Sequence, residues 1–142
     1  MAMNIPSACF TRSPLLKLPE GLDSTEFSAI VGNFLDNAFD ASLKNLNGNK
    51  IVELFLSDDD PEVIIEVADN GCGVPEALRE LIFERGVSTK TDNRDVHGIG
   101  LYLVVSYVNR CGGIITLEDN EPNGSLFSVF IPKVKKINDS TD

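Results

Sequence analysis

The hydrophobic pattern of this chain switches between the helical and the strand period three times, and each switch narrows the folds open to it. From Asp23 to about Leu46 apolar residues recur every three or four positions, with Phe27, Ile30, Val31, Phe34, Ala38 and Ala41 in one stripe, which predicts a long helix with one buried face. Asp23 and Glu26 have the spacing of a capping box at its start, and Gly48 stops it. The period then drops to two. "KIVELFL" and "VIIEVAD" read as strands joined by "SDDDPE", whose acidic residues and proline suit a turn and resist strand pairing. A short amphipathic helix is predicted over roughly Pro75 to Phe83, with proline near its first position, where no amide is missed. The stretch from Glu84 to His97 has almost no apolar residues and reads as a mobile lid. A further helix follows from Gly100 to Arg110, burying Leu101, Val104, Val105 and Val108 and ending at Gly112 and Gly113. "IITLE" and "SLFSVFIP", on either side of "DNEPNG", form a second hairpin. Singly striped helices and hairpin strands bury one another most simply in two layers. The prediction is therefore an α+β fold: a two-layer α/β sandwich with a mixed, mostly antiparallel sheet and three helices.

At 142 residues the chain has the length of one domain with a sizeable core. Residues 1–22 hold three prolines and little periodicity and read as an irregular lead-in with room for a short strand; residues 23–132 carry the domain, and 133–142 a polar tail. A formal net charge of −10 argues against nucleic acid as a partner, because such surfaces carry a basic face that displaces counterions from phosphate. Any phosphate ligand has to be met by a local concentration of donors. Cys9, Cys72 and Cys111 are widely separated with only His97 to join them, so buried or incidental thiols in a reducing compartment are a better reading than zinc. No apolar run reaches the 18 or so residues of a membrane span and the N-terminus lacks a signal-peptide layout, so a soluble, cytoplasmic domain is expected.

Three constellations carry chemistry. Asn33, Asn37 and Asp40 stand at i, i+4 and i+7, on the face of the first helix opposite its apolar stripe. A carboxamide oxygen there can take one place around Mg²⁺ whose other ligands are water and phosphate oxygens, although the same spacing suits a merely solvated face. Asp69 closes a strand and is followed at once by Gly71 and Gly73. A carboxylate so placed can accept from an exocyclic amine while the glycines admit a flat ring, and the alternative is a plain Asp-Asn-Gly turn. Gly98 and Gly100 precede a predicted helix N-terminus, where free amides attract phosphate, with Ser88, Thr89, Lys90 and Arg94 close by in sequence. A lone glycine pair is weak evidence. The common nucleotide motifs are poor fits: there is no Gly-Lys-Ser/Thr loop, and although Glu118 has dinucleotide spacing after Gly98, a polar stretch precedes the glycines and Leu103 replaces the third one.

Taken in order, these pieces resemble the ATP-binding (Bergerat, or GHKL) domain of histidine kinases, gyrase and MutL. "NFLDNAFDA" is similar to its N box, "DNGCGV" to its G1 box, "IFERGVSTK" to its F box and "HGIGL" to its G2 box, and "GGIITLEDNEPNGSLFSVFIP" resembles the end of the histidine-kinase version. The lid and G2 box look most like sensors of citrate and C4-dicarboxylates. The resemblance implies ATP and Mg²⁺ as ligands, with Asn37 on the metal and Asp69 on the adenine amine. Gly71, Gly73, Gly98 and Gly100 would shape the cradle, flanked by Ile99 and Leu101. Val74 and Ile82 would line the base pocket, Phe83 would anchor the lid base, and Ser125 would complete the adenine site. Ser88, Thr89, Lys90 and Arg94 would face the phosphates, and His97 would be a lid hinge or phosphate contact. Asn33 stands where hydrolysing relatives carry a glutamate that activates water, so Asn33 and Asn37 mark the reacting end of the nucleotide and the chain reads as a kinase. Asp40 departs from the basic residue that several histidine kinases carry there. A dimerising domain bearing the acceptor histidine, a downstream response regulator and a membrane-anchored homodimeric parent are further implications. A serine kinase of the anti-sigma type and a degenerate interaction module share the fold and remain the alternatives.

Overall fold

The structure is a computed structural model that describes residues 7–12, 17–45, 48–79, 83 and 94–134. In chain order the elements are β1 (Ser7–Arg12), α1 (Ser24–Leu43), β2 (Ile51–Asp59), β3 (Glu62–Asp69), a 3₁₀ turn at Glu76–Leu78, α2 (Arg94–Arg110), β4 (Ile114–Asp119) and β5 (Ser125–Pro132). The strands make one sheet in the order β1-β2-β3-β5-β4, which puts β3 at its centre. Every neighbouring pair is antiparallel except β1 with β2, so the mixed character comes from the proline-rich lead-in alone.

Strand alternation gives the sheet one apolar face. Val52, Leu54 and Leu56 of β2, Ile65 and Val67 of β3 and Phe127, Val129 and Ile131 of β5 are buried against Ile30, Phe34 and Ala38 of α1 and Leu101, Val104 and Val108 of α2. Phe34 and Phe127 meet with ring centroids 5.2 Å apart, joining the helix layer to the sheet layer. Among the described residues there are two α-helices, not three. The described residues from Pro75 form a 3₁₀ turn at Glu76–Leu78, closed by Arg79, whose Nε donates to the Val74 carbonyl at 3.2 Å and whose guanidinium pairs with Asp119.

Three boundaries differ from the sequence reading. α1 ends at Leu43, and its stripe includes the fully buried Ser42, whose hydroxyl donates to the Phe39 carbonyl at 2.8 Å and so satisfies itself within the helix. The acidic "SDDDPE" does not prevent pairing, because Asp58 and Asp59 face Val63 and Glu62 in the ladder. Lys133 provides the reason, bridging Asp58 and, at 3.2 Å, Asp60. α2 begins at Arg94, so Gly98 and Gly100 lie within helical backbone rather than ahead of it. The local penalty of about 1 kcal/mol for each glycine is overridden by a helix whose following turns bury Leu101, Val104 and Val108.

The capping box is present at the start of α1: the Asp23 carboxylate accepts from the Glu26 amide at 2.8 Å, and Glu26 accepts from the Asp23 amide at 3.1 Å. Glu26 also accepts from Arg110 at 2.6 Å, and Arg110 donates to the Gly21 carbonyl at 3.1 Å, so the end of α2 is tied to the beginning of α1. The Arg110 hydrogen bond, helped by the Asp23 amide, holds the Glu26 carboxyl below its ordinary value. A depressed folded-state value means that this contribution is present above the usual carboxylate range and is lost as pH falls through it. Asp23→Ala should cost about 1 kcal/mol of stability at neutral pH by urea unfolding, the usual worth of an N-cap. An unchanged midpoint would show the cap to be idle.

Candidate functional site

Asp69 is the last residue of the central strand and is 2% exposed. Its Oδ1 accepts from the Gly71 amide at 2.8 Å, and the Ser125 amide at the start of β5 donates to the same carboxylate. Burial pushes its pKa above the ordinary value while the two amides oppose the shift, as expected for a charge withdrawn from water yet held by backbone dipoles. The carboxylate is therefore a fixed acceptor at the rim of the apolar core.

Glycine is required around it. A Cβ on Gly71 would stand 2.3 Å from the Ala41 carbonyl oxygen, so the turn lies directly on the last part of α1. A Cβ on Gly124, which has φ +107, would stand 1.9 Å from the Asp69 carbonyl oxygen, so the β4–β5 turn closes on the same segment from the other side. The contact with Ala41 brings the turn to the helix that carries Asn33, Asn37 and Asp40, all half-buried and so not on a merely solvated face. The Asn33 side-chain nitrogen donates to the Ala29 carbonyl at 2.7 Å, which holds its amide on its own helix.

The other sequence candidates separate into groups. Ser125 is buried beside Asp69, and Val74 packs half-buried against the core. Phe83 meets Phe127 edge-on at 6.0 Å. Leu101 lies in the core itself. Arg94, His97, Gly98, Ile99 and Gly100 all lie in the first two turns of α2, so the end of the stretch predicted as a lid is helical, and its residues 84–93 fall outside the described residues. Ile82, Ser88, Thr89 and Lys90 fall outside the described residues. A cleft of about 330 Å³ opens between the glycine turn and the β4–β5 turn, lined by Cys72, Gly73, Val74, Asn120 and Asn123 among others. Asp69 itself is not among the residues that line it.

Sequence reasoning missed a set of asparagines. Asn120 Nδ2 donates to the Asp69 carbonyl at 2.8 Å, Asn123 Nδ2 to the Asn70 carbonyl at 2.8 Å and the Gly71 carbonyl at 3.2 Å, and Asn45 Nδ2 to the Asn70 carbonyl at 2.9 Å. The only signal in the sequence was the turn chemistry of "DNEPNG", which predicts a bend and is silent about what the bend touches.

Residues 22–135 match the family model of the histidine kinase-, DNA gyrase B- and HSP90-like ATPases. The chain belongs to this family. Within it, the chain is 70% identical over 129 residues to the sensor histidine kinase DpiB of Escherichia coli and 51% identical over 125 residues to the sensor histidine kinase CitA of Klebsiella pneumoniae. Those alignments cover 91% and 88% of this chain but only 23% and 22% of the relatives, so the chain spans less than a quarter of their length. The catalytic domain of the histidine kinase ThkA superposes with a TM-score of 0.76 at 29% identity, covering 93% of this chain and 81% of that one. The matched region is thus a catalytic domain of the sensor-histidine-kinase type, and its family is an ATP-binding one. Both named relatives are sensor kinases, which favours that reading over a serine kinase or a degenerate module. No helix among the described residues is long and apolar enough to cross a membrane.

Gly71→Ala should cost on the order of 2–3 kcal/mol, the scale of overpacking in a region that cannot yield, because the methyl meets backbone on α1 rather than a movable side chain. Thermal melting of the purified variant checks this. A midpoint equal to that of the parent chain would mean the turn is not seated on α1.

Proposed function

We propose that this chain binds Mg-ATP and serves as the phosphoryl-donating domain of a longer sensor kinase, with a histidine on a separate dimerisation domain as acceptor. The observation that carries the proposal is the buried Asp69 carboxylate, fixed by the Gly71 and Ser125 amides at the end of β3. A carboxylate held by two backbone donors keeps lone pairs for a third, and an adenine amine is a donor that a flat pocket beside a glycine turn can deliver. Ser125, Gly71 and Gly73 would shape that pocket, with Val74 and Ile82 as apolar walls.

Among the described residues no group of three or more His, Cys, Asp or Glu side chains is placed to hold a metal ion. The ion is proposed to arrive with the nucleotide and to take one ligand from the protein, the Asn37 side-chain oxygen. When bound, Mg²⁺ neutralises the phosphate oxygens. Ser88, Thr89, Lys90, Arg94 and His97, with the backbone around Gly98 and Gly100, would provide further donors for the phosphates. Asn33 cannot remove a proton from water at ordinary pH, and its amide is engaged with Ala29, so the site holds ATP without its usual hydrolytic base. An imidazole needs no such base, being itself a good nucleophile, so transfer depends on positioning and charge stabilisation. The parent is read as a membrane-anchored homodimer that keeps this domain in the cytoplasm and passes its phosphate to a response regulator. The 70% identity to a sensor histidine kinase supports the sensor-kinase part of that reading.

Calorimetric titration with ATP and Mg²⁺ tests the proposal. Saturating heats without sustained turnover are expected, and Asp69→Asn should weaken binding at least tenfold, the scale of one charge-assisted hydrogen bond, while leaving the chain folded. Steady turnover would reinstate an ATPase, and no binding would leave only an interaction module. Acidity gives a second check. The amine needs an ionised acceptor, so ATP affinity should rise as pH rises through the elevated Asp69 value, and Asp69→Asn should abolish this rise. Stability should follow the opposite sign: a raised folded-state value means the Asp69 contribution is fully present below the ordinary carboxylate value and is lost as pH rises through the elevated one.

A further inference from the structure

Three consecutive carbonyls, those of Asp69, Asn70 and Gly71, each accept from an asparagine side chain. The middle one accepts from two: Asn45, just beyond α1, and Asn123, in the β4–β5 turn, approach the same Asn70 oxygen from different elements at 2.9 and 2.8 Å. The Asn70 carbonyl and the Gly71 amide belong to one planar peptide unit, so fixing the oxygen fixes the direction of the N–H. That N–H donates to Asp69 Oδ1. The Asn70 side chain secures the same segment to the start of β2, accepting from the Ile51 amide at 2.8 Å and donating to the Asn49 carbonyl at 2.6 Å. Asn120 holds the preceding peptide through the Asp69 carbonyl. Asn123 is exposed and adds nothing to the apolar core, so packing does not account for its place.

We propose that Asn45 and Asn123 are positioning residues: by clamping the Asn70 peptide from two sides they aim the Asp69 carboxylate and set the selectivity of the site for a 6-aminopurine. Neither touches the nucleotide. Each acts through the Asn70 peptide and the Gly71 amide. The inference rests on the proposed adenine contact of Asp69.

The probe is the ratio of affinities for ATP and inosine triphosphate, which differ where the adenine amine is replaced by a carbonyl oxygen. A well-aimed carboxylate accepts from the first and repels the second. In the parent chain ATP should bind more tightly. The Asn45→Ala/Asn123→Ala double variant should reduce that preference about tenfold, the scale of the two hydrogen bonds lost from the Asn70 carbonyl, with affinity for inosine triphosphate not reduced. Glu121→Ala, exposed in the same turn, should retain it. Parallel weakening of both nucleotides would mean a merely structural role and overturn the proposal, as would an unaltered ratio. If the double variant does not fold, Asn123→Ala alone decides in the same way, because its position is exposed. Asp69→Asn separates the two readings: if it keeps the parent's preference, the adenine contact itself has failed, and if it loses the preference while the asparagine variants keep it, only the clamp has failed.

Discussion

A single carboxylate, withdrawn from water at the end of the central strand, sets the terms for the surrounding structure. Asp69 is 2% exposed, and ionising it there is unfavourable unless dipoles replace the lost solvent. The replacement comes from two amides that are far apart in sequence, Gly71 one turn onward and Ser125 at the head of β5. Bringing the second of these to the carboxylate requires β5 to lie beside β3, which the register of Ala68 with Leu126 achieves. It also requires a β4–β5 turn that can pass directly over the Asp69 carbonyl, where Gly124 leaves the space a side chain would fill.

The apolar core and the polar site are built on the same elements but by opposite rules. In the core, β2, β3, β5 and both helices contribute aliphatic and aromatic side chains that need only the right volume and face. At the end of β3 the contacts are directional: backbone carbonyls and amides are matched one by one with asparagine side chains, and Gly71 is pressed against Ala41. A raised carboxyl pKa detracts from stability at neutral pH, and the retention of such a group at the end of β3 is understandable if recognition requires it.

Much of this was legible from the chain alone where the signal is local. The capping box at Asp23 and Glu26, the stripe through Ile30, Phe34 and Ala38, and the last hairpin on either side of "DNEPNG" rest on spacings of two to four residues, and the structure has them. The departures have a common cause in contacts between distant residues. Lys133 pairs with Asp58 and lets it remain in a strand, and the burial of Leu101, Val104 and Val108 carries α2 back through Gly98 and Gly100 to Arg94. The stretch after Pro75 satisfied the rules for a helix start, yet Arg79 turned back to Val74 and Asp119.

The sequence by itself determined the layer architecture, because hydrophobic period decides which face of each element avoids water, and it placed Asp69 beside two glycines at a strand end. Four short motifs in order were enough to indicate a family, and residues 22–135 match it. Only the tertiary structure decided what surrounds that carboxylate. Asn45 and Asn123 are 78 positions apart in the numbering, and nothing in their local sequence says that both will reach the Asn70 carbonyl. Hydrogen bonds of this kind have no period to read: they exist only once the sheet order β3-β5-β4 has carried the last turn to the end of β3, where the chain's own donors take the place of water.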